Sequence, residues 1–217
     1  MKAILPRIYN KVSSYIYRIR LKNNNFTIIT NSCIGGVMYH KLGKPFMSPT
    51  INLWMFDKDF IRFVSNLKEH MEKELEFVEG IDPTPTAWCG DVLIHFNHAH
   101  TKEEAADDWN KRRDRINYDN MFIIMSDRPG SDTSCDSREI TKEDILSLSK
   151  VNCRGKVVFS VRKYEDIDYI VQLPKDKGGD YVNMYMFDKT KWFKRWRWET
   201  AWDWVRWLND GVVRCKV

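Results

Sequence analysis

Three short, almost unbroken apolar runs constrain this chain more than any other feature: residues 26–30 (FTIIT), 121–125 (MFIIM) and 157–161 (VVFSV). Runs of this length and composition read as strands buried on both faces, the usual condition of a parallel sheet. Helical periodicity fills the spaces between them. Residues 58–78 carry Phe60, Phe63, Val64, Leu67, Met71 and Leu75 on one side, behind a capping Asp57. Thr101 with Glu104, and Thr141 with Asp144, have the spacing that opens helices over 101–116 and 141–148. Residues 36–42 form a short helix closed by Gly43, and residues 50–56 and 92–96 read as further strands. Alternating strands and helices predict an α/β fold with a mostly parallel sheet and flanking helices.

An internal repeat adds to this pattern. INLWMFDK at 51–58 returns as VNMYMFDK at 182–189, an offset of 131 residues. The same offset lays run 26–30 on run 157–161 without a gap. The repeat implies two related strand–helix–strand–helix units. Residues 1–24 would form an amphipathic helix, 25–150 the first unit with a central block, and 151–217 the second unit with a Trp-rich C-terminal helix. That helix is expected over 201–208, opened by Thr200 with Asp203. Residues 192–207 hold six of the nine tryptophans, suited to a lid packed on the core or to a stacking surface.

Hydrophobic content of 43% in 217 residues supports a substantial core. No apolar run reaches the roughly 18 residues that a membrane-spanning helix needs, and the N-terminus does not have the form of a signal peptide, so a cytoplasmic location is expected. Five cysteines without a CxxC fit free thiols better than a disulfide framework or zinc ribbon. The net charge of +5 is too modest to favour nucleic acid as the partner. It is unevenly placed, with six basic and no acidic side chains in residues 1–24. That segment reads either as a helix packed on the core with a solvated rim, or as a helix on an anionic membrane face.

Chemistry concentrates at the strand ends. Asn31, Ser32 and Cys33 follow the first strand, and Gly35 and Gly36 would let a ligand approach the backbone. A thiol at a helix N-terminus can serve as a nucleophile with a histidine base, or merely pack. His95, His98 and His100 lie within six residues, but their spacing completes no metal site, so acid–base work by His95 or His98 is the functional reading. Nothing in the sequence specifies a cofactor. Ala105, Trp109, Arg112 and Ile116 share a helix face, which places Arg112 in an apolar stripe. It needs a carboxylate such as Asp57, Asp91 or Asp127, or an anionic ligand, and Arg115 lies toward the edge of the same face. Asp127 and Arg128 follow the 121–125 strand as Asn31 and Ser32 follow the first, so the two tips would open on one crevice.

Asn31, Cys33, Gly35-Gly36, Tyr39, Ser48-Pro49-Thr50, His95-Phe96 with His98, Glu104-Ala105, Trp109, Arg112, Arg115-Ile116-Asn117 and Asn120 occur in an order that resembles a bacterial family of unknown function, often labelled exopolysaccharide-biosynthesis protein. The resemblance is clear over about half of the chain. It implies a role near capsule, exopolysaccharide or lipopolysaccharide assembly, as an acyl- or glycosyl-type transferase on a sugar or activated sugar precursor. The alternative is a non-enzymatic protein bound at the inner membrane face.

Overall fold

The computed structural model describes residues 4–127, 140–174 and 196–215. Its centre is a four-stranded sheet of β1 (Thr27–Thr30), β5 (Met121–Ser126), β6 (Gly155–Ser160) and β7 (Ile170–Gln172). The order is β1-β5-β6-β7 and every pairing is parallel, as the apolar runs predict. Helices flank it, so the α/β fold is as expected. The sheet also runs across the sequence boundary near 150, because β5 pairs directly with β6.

Side chains alternate between the two faces, as the period of a strand requires. Ile28, Phe122, Ile124, Val157 and Phe159 enter one apolar layer. That layer holds α2 (Ile34–Leu42) and the C-terminal segment with Trp198, Trp202, Trp204 and Trp207. Ile29, Ile123, Met125 and Val158 enter the opposite layer. There they meet α3 (Asp57–Ser65), α4 (Leu67–Glu72), α5 (Lys102–Arg113), α6 (Lys142–Ser147) and a small antiparallel sheet. The small sheet comprises β2 (Leu75–Val78), β3 (Thr86–Cys89) and β4 (Val92–His95).

Several local expectations are corrected. Residues 58–78 are two helices and a strand, broken at Asn66 and Lys73, because Leu75 and Phe77 pair with β3 rather than continue the helix. Residues 50–56 are a turn with a single bridge, Trp54 to His95, and Asn52 sits at positive φ. Asp57 is the first helical residue of α3, and Phe56 holds the N-cap position. The connection from β6 to β7 carries no helix, unlike the connection after β1. The second octapeptide, at 182–189, lies outside the described residues.

The C-terminal helix is also divided, into α7 (Arg197–Ala201) and α8 (Trp204–Asp210). Asp203, not Thr200, caps α8 by accepting from Arg206 N. Trp198, Trp202, Trp204 and Trp207 are all buried, with Trp207 edge-on to Phe122 and Trp202 edge-on to Phe159. Those four rings therefore build the core and offer no stacking surface.

A buried ion pair ties this segment to α2. Lys41 Nζ lies 3.1 Å from Glu199 Oε1, and the Glu199 side chain is fully buried. Tyr17 also donates to Glu199, at 3.3 Å. Removing one ion of such a pair is costly, whereas replacing both by apolar groups is often tolerated. Lys41→Met is expected to lower unfolding free energy by roughly 3–5 kcal/mol. Lys41→Met with Glu199→Leu should recover most of that loss in urea denaturation. A double variant as unstable as Lys41→Met would contradict this account.

Candidate functional site

Because β1, β5 and β6 are parallel, their C-terminal ends reach the same edge of the sheet, where α/β folds bind ligands. Asn31 joins the first two ends. Its Oδ1 accepts from Ser126 N at 2.9 Å, and its Nδ2 donates to Ser126 O and to Asp57 Oδ1, at 3.2 and 3.0 Å. One buried amide thus fixes β1, β5 and the start of α3 together. Beside it, Ser32 Oγ meets the hydroxyls of Thr30 and Ser126.

The β5 and β6 ends are joined by a second cluster. Asp127 is fully buried and accepts from Ser160 Oγ at 2.5 Å. It also receives two guanidinium bonds from Arg162, at 2.7 and 3.1 Å. Arg162 further donates to Ile140 O. Arg162 is a site residue absent from the sequence expectations, and its one sequence signal is its place in the repeat, one offset after Asn31 (162 − 31 = 131). Asp57, expected as a helix cap or as a carboxylate for Arg112, is instead held by Asn31. Arg128 lies outside the described residues.

Cys33 occupies the N-cap position of α2, but its thiol makes no capping bond to the helix. Its Sγ instead lies 3.6 Å from His98 Nε2. Cys33 is half-buried and His98 is exposed, so this pair faces solvent at the rim of the buried network. The backbone path around Phe96 brings His98 there. His95 and Phe96 are buried, and the chain turns after Phe96, with Ala99 N donating to Phe96 O. That turn carries His98 outward.

His95 has a different setting. It ends β4, stacks on Trp54 with ring centroids 3.8 Å apart, and places Nδ1 2.5 Å from Asp82. Its backbone also pairs with Trp54. Of the two histidines expected to serve as acid or base, the structure brings His98 to the thiol and sets His95 behind the segment leading to Asp57.

The remaining expected binding residues are built into the scaffold. Asn31, Ser32 and Gly35 are buried. A Cβ on Gly35 would lie 2.9 Å from Thr30 Cγ2 and 3.2 Å from Ile51 Cδ1, and one on Gly36 would lie 3.2 Å from Ile51 Cγ2. The glycine pair therefore seats α2 against β1 and the 50–52 turn instead of opening the backbone to a ligand. Arg112 donates to Ile51 O and pairs with Asp108, one helical turn earlier, not with Asp57, Asp91 or Asp127. Arg115 donates to Phe46 O. Both arginines hold the loop that supports α2.

The edge strand β1 is protected by neighbouring motif residues. Ile28 N donates to Tyr39 Oη and Thr30 N to Thr50 Oγ1, while Ser48 holds Thr50 in place. These bonds satisfy strand donors that would otherwise remain open. A cleft of about 520 Å³ lies elsewhere, near the start of β5, lined by Lys68, Met71, Glu72, Arg113, Asp114 and Tyr118. Among the described residues, no cluster of three His, Cys, Asp or Glu side chains is arranged to hold a metal ion.

Residues 5–209 match the family described as Domain of unknown function (DUF1919). The chain belongs to that family. It is also similar to an uncharacterized protein of Haemophilus influenzae, 30% identical over 196 residues, with 88% of each chain covered. No helix among the described residues is long and apolar enough to cross a membrane.

The free thiols have unequal environments. Burial pushes the Cys89 thiol up to about 11, and burial also raises Cys153 and Cys215. A raised thiol has less thiolate near neutral pH and so reacts more slowly, and Cys89 is also buried. Alkylation with limiting iodoacetamide, mapped by peptide mass, is expected to label Cys33 ahead of Cys89, Cys153 and Cys215, and more slowly in His98→Ala. Labelling of Cys89 first would contradict this order.

Proposed function

We propose that this protein is a transferase of the acyl type, in which Cys33 is the nucleophile and His98 its general base. The observation that carries the reading is the 3.6 Å approach of Cys33 Sγ to His98 Nε2 at the solvent-facing rim of the strand ends. Other motif residues at this edge are taken up by the scaffold, whereas these two are accessible and face each other.

The chemistry follows from that contact. His98 accepts the thiol proton as Cys33 attacks the carbonyl carbon of an activated acyl group. A new Sγ–C bond forms, the bond to the donor's leaving group breaks, and His98 returns the proton to that leaving group. A hydroxyl of an acceptor then attacks the thioester carbonyl; the new C–O bond forms as the Sγ–C bond breaks, and His98 takes the hydroxyl proton and returns it to the released Cys33 sulfur. The N-terminus of α2 favours negative charge on the sulfur. The Asn31 and Asp127 clusters keep the supporting strand tips in place. A sugar or activated sugar precursor as acceptor, and a setting in exopolysaccharide, capsule or lipopolysaccharide assembly, come from the resemblance described above. A glycosyl-type transfer at the same pair is the related alternative.

The test is turnover by the purified chain with acetyl-CoA as donor and nucleotide sugars as acceptors, followed by release of free thiol from CoA. His98→Ala should lower the rate by about 10²–10⁴-fold, and Cys33→Ser by at least as much. Absence of binding and turnover in the intact protein would overturn the proposal, as would full activity in Cys33→Ser.

A further inference from the structure

We propose that helix α1 (Ile4–Arg20) docks on an anionic lipid surface, lying flat with one apolar face in the headgroup boundary. The residues on that face are Ile8, Val12, Tyr15, Ile16 and Ile19, spaced to form one stripe. They are between 46% and 65% exposed. Among the described residues only four other large hydrophobics, Ile81, Trp88, Leu146 and Val212, are comparably exposed, and none of these is on α1. A contiguous apolar patch of this kind marks a contact surface.

The stripe is not the face by which α1 joins the protein. Ser13 and Tyr17 are buried on the other side. There Tyr17 sits edge-on to Trp204, with ring centroids 4.6 Å apart, and donates to Glu199. Arg20 pairs with Asp203, and Arg18 Nε donates to Lys41 O. The helix is thus anchored through its last turns while its apolar stripe faces away from the sheet.

Charge identifies the occupant. Lys11, Arg18 and Lys22 are exposed and line one edge of the stripe. Residues 1–24 contain six basic and no acidic side chains. An apolar face bordered by cations suits anionic headgroups, with apolar burial and electrostatic attraction acting together. A second copy of the chain suits it less well. Antiparallel pairing of two α1 helices about a two-fold axis would set each row of cations beside its own copy, with no carboxylate from the helix to pair with it.

Flotation of the full-length protein with vesicles tests this. The intact chain is expected to float with phosphatidylcholine–phosphatidylglycerol vesicles and only weakly with phosphatidylcholine alone, and to be released as salt rises. Ile8→Gln/Ile16→Gln/Ile19→Gln should weaken binding by more than tenfold, and Lys11→Gln/Lys22→Gln by roughly tenfold. Both variants alter exposed side chains, so circular dichroism and thermal unfolding should match the intact chain. Cys33→Ser should bind vesicles normally, which separates this surface from the transfer site. No flotation with either vesicle, or equal flotation of the triple-Gln variant, would overturn the proposal. So would a dimer in sedimentation that the triple-Gln variant dissociates without any vesicle binding.

Discussion

The buried Asn31 amide is the interaction on which the rest of the arrangement depends. Parallel strands have no hairpin to hold their ends level, and β1 and β5 are separated in sequence by most of the opposite layer. Asn31 replaces that missing constraint with three hydrogen bonds, to both backbone groups of Ser126 and to Asp57. A side chain with both donor and acceptor groups can make this set, whereas a carboxylate would face Ser126 O with no hydrogen to donate. Removing it would break three hydrogen bonds made in a buried, low-dielectric setting, where each such loss is expensive. Cys33 follows two residues later, so the position of the thiol is inherited from this clamp.

A second layer of support stands behind the first. Arg112 and Arg115 hold the carbonyls of Ile51 and Phe46. Ile51 closes against the Cα atoms of Gly35 and Gly36, where any larger residue would crowd it. His95 stacks on Trp54 and so steadies the approach to Asp57. Polar residues that read as ligand-binding in isolation therefore act through one another to place a half-buried thiol and an exposed imidazole. This division between a fixed interior and an accessible pair is what a nucleophile and its base require.

Much of the fold was legible because burial leaves a compositional mark. The three apolar runs became adjacent or near-adjacent parallel strands, and the Thr141–Asp144 capping box formed as spaced. The failures share a cause. Residues 73–78 have a helical apolar pattern, yet cross-strand pairing with β3 outweighs it, and no local signal reveals a partner ten residues away. Residue type and spacing mark Asp57 and Thr200 as caps, while tertiary contacts give Asp57 to Asn31 and the capping role to Asp203. At the site, Asn31, Cys33, His98 and Asp127 were visible as residue types at strand ends. Which histidine faces the thiol was not, because it depends on the turn after Phe96. An arginine in an apolar stripe signals a carboxylate or an anionic ligand, and backbone carbonyls of an irregular loop attract the same donors.

The central claim is that Cys33 carries the transferred group. Intact-mass measurement after brief exposure to acetyl-CoA, with no acceptor present, tests it most directly. The account predicts a gain of one acetyl group, mapped to Cys33, lost on adding an acceptor sugar and absent in Cys33→Ser. Transfer to a sugar that proceeds equally well in Cys33→Ser, with no acylated protein at any time, would contradict it.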